Sequence, residues 1–559
     1  MTAFADPAHR TAHRETLTKA LAAIADRSYW SAYPESPSPR VYGEDAAPAG
    51  LAAYEAHLRS RFELDQPGTV GWVGAERSPY GPALGITYPE ADLDVLLGAA
   101  QDAMPAWRDA GPEVRAVVCV EIVNRINARS FEMANAVMHT SGQAFVMAFQ
   151  AGGPHAQDRA LEAIAVAYAE QTRVPFTARW EKPQGKRPPL VMEKTFTVVP
   201  RGIGLVIGCT TFPTWNSYPG LFASLACGNA VVVKPHPAAI LPLAITVSIA
   251  RDVLAEAGFS RDLVSLVAEN PGGTVAATLA VRPEVRIVDF TGSTAFGEWL
   301  EANARQAAVY TEKAGVNMVL LDSTDDYPGM LANLAFSLCL YSGQMCTTPQ
   351  DLLIPADGIA TSDGRRTVDE FAADLGAAID KLLGSDAQAV ELLGAIVNDG
   401  VLSRVDGAGS LGEVVVPSRT LTHPTYPDAR VRTPAVVRVS AADADAWGSE
   451  CFGPVSFLVT TDSTEDGLDI LRRTVTARGA LTAAVYSTDE KVVAAARSAA
   501  IDAGVALSEN LTGGVYVNQT AAYSDLHASG ANPAANAAYT DAHFVVGRFR
   551  VIQSRRHTA

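Results

Sequence analysis

Short, mostly apolar runs rich in β-branched residues alternate with longer helix-spaced segments through the middle of the chain, and this alternation leaves few folds open. IGLVIGC (203–209), AVVVKP (230–235), LVSLVAE (263–269) and VRIVDFTG (285–292) are apolar along most of their length rather than at every second position. A strand of that kind is buried on both faces, as in a parallel sheet lying between helix layers. Segments 238–257 and 272–281 carry apolar residues three and four apart, the spacing of one helix face. Strand–helix–strand units predict a doubly wound sheet that binds ligands beyond the carboxyl ends of its strands. A second series repeats the pattern: VNMVLLD (316–322), DLLIP (351–355), VSFLVT (455–460), AAVYS (483–487) and GVYVN (514–518), with helical segments at 325–341, 366–384 and 465–477. The chain therefore reads as α/β, with two doubly wound, Rossmann-like domains meeting near residue 310.

Residues 1–90 are punctuated by Pro, Ser and Gly, with one helical stretch near 14–27, and read as an N-terminal extension wrapping the body. The remaining divisions fall at 91–310, 311–525 and 526–559. Within the first half, 177–202 sets polar turn residues ahead of the alternating VMEKTFTVV, the pattern of a projecting hairpin. Length and charge bound the rest. At 559 residues and 48% hydrophobic content the chain has ample material for large cores, which excludes disorder. Against 61 Asp+Glu stand 44 Lys+Arg, a net charge of −17 that repels nucleic acid at long range. An anionic ligand then requires a locally positive pocket. No apolar run approaches ~18 residues, and MTAFADPAHRTAHRETL lacks a secretory layout. A cytoplasmic protein without membrane or nucleic-acid partners is expected.

Six cysteines are too few and too scattered for a disulfide frame. Cys119, Cys209, Cys227 and Cys339 lie in apolar runs, where a thiol serves as a small hydrophobe. Cys346, in YSGQMCTT, sits among small and polar residues just past a helical segment. That context leaves its sulfur accessible and near backbone N–H donors, as a nucleophilic thiolate requires. Gly202 and Gly204 precede and enter a strand, so RGIGLVIG lacks the order of a dinucleotide fingerprint. FTGSTAFG (290–297) instead follows a strand and opens a helix, placing Gly292, Ser293 and Gly297 where backbone N–H groups favour an anion. The same residues also suit an ordinary N-cap turn. With no H-E-x-x-H or paired C-x-x-C in the sequence, no metal site is expected, and His9 and His13 read as surface residues.

Cys346 in SGQMC, Glu312 in TEKAG 34 residues before it, FTGSTAFG, ACGNAVVVKP (226–235) and ECFGPV (450–455) stand in one order and spacing. In these motifs the chain resembles the aldehyde dehydrogenase superfamily over roughly 92–525. Its N-terminal extension and the stretch after GGVYVNQ resemble a narrower group, the PaaN phenylacetic acid degradation proteins, in the form without a fused hydratase-type domain.

The resemblance implies a nucleophile at Cys346, a general base at Glu312, a coenzyme-binding domain over 91–310, a catalytic domain over 311–525 and an oligomerisation segment over 526–559. It further implies that Lys234 contacts the adenosine ribose, Ser293 the pyrophosphate, Glu450 the nicotinamide ribose and Phe452 the nicotinamide. Homo-oligomers, dimers or tetramers, built through the hairpin and a C-terminal strand laid on a partner's sheet, are expected. Two departures stand out. The family's oxyanion-stabilising Asn falls, by counting, on Thr211; either Thr211 donates or Asn216 takes its place, and Thr211 is the expectation. The family's NAD-preferring members carry Glu three residues after the lysine, where this chain reads Lys234-Pro235-His236-Pro237. Lys234 and His236 would then face a 2′-phosphate, giving a preference for NADP with NAD possible. The implied activity is oxidation of an aldehyde to its acid through a thiohemiacetal and thioester, the substrate being a CoA-linked semialdehyde from phenylacetate ring opening, with Lys or Arg lining the entrance. The alternatives are a Cys346/Glu312 hydrolase acting on CoA thioesters and a non-catalytic scaffold.

Overall fold

The computed structural model describes residues 7–313 and 315–558. Helix α1 (Pro7–Asp26) lays Leu17, Ala20 and Ala23 into the apolar core that the first large sheet also uses, and Tyr33, Tyr54 and Phe62 follow it there. Its His13 is not a surface residue: it is buried against Glu121 of α2 (Gly111–Ala128) at 3.0 Å, because α1 packs on α2 along that face. The side chain of His9 lies outside the described residues. Helix α3 (Ala156–Thr172) runs beneath both α1 and the first sheet's helices, and its inner residues are almost wholly buried.

Strands β1 (Thr177–Gln184) and β2 (Arg187–Pro200) form an antiparallel hairpin that turns at Gly185, whose φ of 66° suits a two-residue turn. The first large sheet follows with β3 (Ile203–Ile207), β4 (Val231–Lys234), β5 (Val264–Leu266), β6 (Val285–Gly292) and β7 (Ala308–Lys313). All pairs are parallel and the spatial order is β5-β4-β3-β6-β7. Winding therefore reverses between β3 and β6, and their carboxyl ends part into a crevice. Helix α4 (Pro213–Ala226) leaves β3, and α5 (Thr294–Asn303) leaves β6.

The second sheet has seven strands: β8 (Met318–Leu321), β9 (Asp351–Pro355), β10 (Glu413–Val416), β11 (Ala435–Ser440), β12 (Val455–Thr461), β13 (Thr482–Tyr486) and β14 (Ala506–Glu509). Their order is β10-β11-β12-β9-β8-β13-β14, with only β10 antiparallel to its neighbour. Alternate residues of β8 enter separate cores, Val319 and Leu321 on one face and Met318 and Leu320 on the other. That two-sided burial explains why the strand reads as a continuous apolar run.

One sequence expectation changes. GVYVN (514–518) is irregular rather than a strand, and β14 closes the sheet instead. Gly513 and Gly514 break the run, Val515 is exposed, and Tyr516 stacks on Phe336 with centroids 3.9 Å apart. At the terminus, β15 (Phe549–Thr558) pairs antiparallel with β2 of its own chain, completing a sheet ordered β15-β2-β1.

Candidate active site

Helix α6 (Tyr327–Cys339) delivers the chain to the cysteine through three consecutive left-handed residues: Tyr341 (φ 52°), Ser342 (φ 49°) and Gly343 (φ 64°). Each non-glycine residue in that region costs roughly 1–2 kcal/mol. The loop persists because it is pinned on every side. Tyr341 Oη donates to the Ser141 carbonyl, and Ser342 Oγ lies 3.0 Å from the Leu393 carbonyl and 3.1 Å from that of Arg432. Gln344 joins in, accepting from Val397 N–H at 2.9 Å. Buried Asn317, which the sequence did not single out, completes the clamp. Its Nδ2 donates to the carbonyls of Cys346 (2.8 Å) and Thr348 (3.0 Å), while its Oδ1 accepts from the N–H groups of Leu481 (2.9 Å) and Thr482 (3.1 Å). The cysteine is thereby fixed to β13 through one side chain.

Cys346 and Glu312 come together as the sequence predicts, and a third residue joins them. The Cys346 sulfur, the Glu312 carboxylate and a ring nitrogen of His527 lie within 4.8 Å of one another. Glu312, the penultimate residue of β7, is 2% exposed, and its Oε2 lies 3.0 Å from His527 Nε2. Burial and the adjacent Glu312 carboxylate push the Cys346 thiol well above its ordinary pKa. Such a thiol needs help to ionise near neutral pH.

Thr211 does not reach this cavity. Its carbonyl accepts from Gln143 Nε2 at 2.7 Å, and its hydroxyl turns toward Cys209. Asn216, in the first turns of α4, lines the same cavity as Cys346 and directs its amide at Glu312 Oε1, 3.3 Å away. The correction has a simple cause: the count back from ACGN lands in the loop before α4, whereas the inward-facing position is on the helix.

At the crevice of the first sheet, β4 ends at Lys234. This lysine is buried and ion-paired with Glu269, which arrives just beyond β5. A carboxylate thus stands beside the lysine although none follows it in sequence. His236 is exposed, its Nδ1 accepts from Ala238 N–H at 3.1 Å, and partial desolvation and the Lys234 ammonium lower the ring's pKa. Ser293 caps α5, accepting from Phe296 N–H at 3.5 Å, and with Thr294 and Ala295 it is exposed at the crevice. Gly292 ends β6, where an added Cβ would strike the Phe290 ring at 2.7 Å. At Gly297 a Cβ would lie 2.6 Å from Lys313 Cγ, so glycine lets α5 close onto β7. Glu450 and Phe452 line a small cleft that ends on Cys346. Desolvation raises the Glu450 carboxyl while Arg404 opposes it. An exposed helix N-terminus, a paired lysine and carboxylate at the switch point, and this cleft together fit a nicotinamide dinucleotide.

On the other side of Cys346 opens a cavity of about 560 Å³. Tyr29, Trp30, Phe212, Trp215, Phe336 and Tyr516 give it an aromatic wall. Its acidic residues are Glu35, Asp158 and Glu391, with Glu35 paired to His155 of the same wall at 2.8 Å, and no Lys or Arg among the described residues lines it. Part of this wall is the N-terminal extension, held in place where Ser31 Oγ and Ala32 N–H donate to Asp158 at 2.5 and 3.1 Å. No described helix is long and apolar enough to cross a membrane.

Comparison with known proteins places this geometry. Residues 87–533 match the model of the aldehyde dehydrogenase family. A vanillin dehydrogenase of Pseudomonas fluorescens is 26% identical over 71% of this chain and 77% of its own length. A succinate-semialdehyde dehydrogenase of Paenarthrobacter nicotinovorans is also 26% identical, over 71% of this chain and 83% of its own. The crystal structure of an NAD-dependent aldehyde dehydrogenase from Burkholderia multivorans superposes over 100% of both chains with TM-score 0.97 and 58% identity. With its cysteine and carboxylate meeting where two α/β sheets converge and the family model spanning most of its length, the chain belongs to the aldehyde dehydrogenase family.

Proposed function

We propose that this aldehyde dehydrogenase oxidises an uncharged aldehyde with an aromatic or aliphatic body to its acid, using NAD. One observation carries the reading: Cys346 forms part of the wall of both the aromatic cavity and the cleft of Glu450 and Phe452. A carbonyl entering from one side and a nicotinamide from the other would meet at its sulfur. The Cys346 thiolate attacks the aldehyde carbon, forming a C–S bond. The Asn216 amide and the Cys346 backbone N–H stabilise the oxyanion. The bound coenzyme supplies the hydride acceptor. Glu312 then takes a proton from the water that attacks the thioester, and the acid leaves as the C–S bond breaks.

NAD is favoured over the NADP preference suggested by the sequence because Lys234 is neutralised by Glu269 and His236 is uncharged. A 2′-phosphate would find a carboxylate where it needs a cation. The CoA-linked semialdehyde of phenylacetate breakdown is disfavoured in the same way by Glu35, Asp158 and Glu391 at the cavity. A homo-oligomer is supported by β15, an outer edge strand that exposes Ile552.

The test is coenzyme reduction by the purified protein with NAD or NADP across aromatic, aliphatic and CoA-linked aldehydes, with Cys346→Ser as control. The best kcat/KM is expected for NAD and an uncharged aromatic or aliphatic aldehyde. A CoA-linked substrate turning over best, or NADP matching NAD, overturns those parts of the reading. Acid released from a CoA thioester without coenzyme reduction would instead support the Cys346/Glu312 hydrolase. Light scattering at a single-chain mass would reject the oligomer.

A further inference from the structure

His527 lies in the C-terminal stretch, far in sequence from every motif used above, yet it is 3% exposed and sits against the two reacting side chains. Its Nε2 is 3.0 Å from Glu312 Oε2 and 4.0 Å from Cys346 Sγ. The ring is held from several sides. Trp215 meets it edge-on with centroids 4.6 Å apart, Tyr539 stacks on it at 5.6 Å, and Thr520 Oγ1 lies 3.3 Å from Nδ1. Tyr539 is itself fixed, its hydroxyl 2.6 Å from Thr291 Oγ1 and its N–H donating to the His527 carbonyl at 3.0 Å. So much clamping of one imidazole, with a reactive sulfur in reach, marks a positioned proton carrier rather than a filler of space.

We propose that His527 is the base that takes the Cys346 thiol proton, so that the thiolate forms beside Glu312.

The proton inventory supports this role. Nε2 lies 3.0 Å from Glu312 Oε2 and 4.0 Å from Cys346 Sγ, so one ring nitrogen stands within reach of both the carboxylate and the sulfur. We assign the resting proton to Nδ1, donated to Thr520, which leaves the Nε2 lone pair free toward the sulfur. In that state the trio holds a thiol, a neutral imidazole and a carboxylate. Transfer breaks the S–H bond, forms Nε2–H and leaves a thiolate, an imidazolium and the carboxylate. The net charge is −1 before and after. Ionising the thiol to solvent would instead place two uncompensated anions side by side in a buried site. When the acyl group later leaves sulfur, the imidazolium returns the proton. Glu312, Cys346 and Tyr539 are the titratable groups facing the ring, with Cys209 behind the sulfur.

The role rests on Cys346 being the nucleophile, and the experiment separates the two claims. Alkylation of Cys346 by iodoacetamide is followed across pH in the full-length protein, with Cys346→Ser identifying the labelled site. The wild type should react at neutral pH with a rate set by the imidazole. His527→Gln should slow that reaction at least tenfold near pH 7 and move its rise toward the ordinary alkaline range of a buried thiol. His527→Ala should regain rate on addition of free imidazole, which a merely structural residue would not allow. Should either variant fail to fold, Thr520→Val removes the partner of Nδ1 and should slow neutral-pH alkylation several-fold. An unchanged pH profile in His527→Gln, or in Thr520→Val where that variant alone folds, overturns the proposal while leaving Cys346 as nucleophile. Aldehyde oxidation surviving in Cys346→Ser would overturn the nucleophile itself.

Discussion

Asn317 is where the second sheet holds the nucleophile, and replacing it with alanine tests whether that connection is structural or catalytic. The side chain is 3% exposed and makes four hydrogen bonds of 2.8–3.1 Å, two to carbonyls of the cysteine loop and two from N–H groups at the start of β13. A net hydrogen bond contributes about 0.5–1.5 kcal/mol, so four give roughly 2–6 kcal/mol, with partial relief where water enters the space. The upper half of that range is expected, because truncation strands four buried backbone groups at once. Guanidinium denaturation should show the loss as an earlier transition of the unit carrying the second sheet. The loop loses its anchor at Cys346, so the strain held at the left-handed Tyr341 and Ser342 can relax and move the sulfur. Such a displacement should lower kcat by about a hundredfold, since misplacement of ~1 Å costs that much. Asn317→Asp keeps the acceptor but sets a buried carboxylate oxygen against the Cys346 and Thr348 carbonyls, and should be at least as destabilising as Asn317→Ala. A destabilisation below about 1 kcal/mol with kcat unchanged would refute the clamp.

Asn216→Ala should slow single-turnover hydride transfer by ~10²–10³, whereas Thr211→Ala should leave it within about threefold; the reverse result would restore Thr211 as the oxyanion donor. Glu269→Gln should raise the NADP-to-NAD ratio of kcat/KM roughly ten- to a hundredfold, as expected for relieving repulsion of a few kcal/mol at an effective dielectric near 20; an unchanged ratio would show that the 2′-position lies elsewhere. Burial pushes the Asp158 carboxyl up to about 6, with Ser31, Ala32 and Tyr523 opposing. The folded protein therefore binds more protons than the unfolded chain between about pH 4 and 6, and stability falls as pH rises through that window. Thermal midpoints of Asp158→Asn should lack this decline, worth on the order of 3 kcal/mol in the wild type; parallel pH curves for the two proteins would contradict it.

What the sequence disclosed follows from how local each constraint is. Strands such as 285–292 and 351–355 match their apolar runs residue for residue because burial on both faces leaves an unbroken signal. GVYVN carries the same β-branched composition, but Tyr516 packs on Phe336 and the Asn518 carbonyl accepts from Thr347 Oγ1, making the segment a cavity wall, and composition alone does not distinguish a wall from a ladder. Cys346 and Glu312 were legible because each stands in a short motif at a set spacing. Asn317 and His527 were not, since each acts through partners distant in sequence: Asn317 through Leu481 and Thr482, His527 through Glu312 and Trp215. The coenzyme reading turned on the same limitation. The residues following Lys234 along the chain carry the NADP expectation, whereas the carboxylate that stands beside the lysine, Glu269, arrives just beyond the neighbouring parallel strand. In a doubly wound sheet the ligand-facing groups gather from the carboxyl ends of adjacent strands, tens of residues apart. A missing residue in one motif is therefore weak evidence of a missing charge, and the crevice must be read across the strands rather than along any one of them.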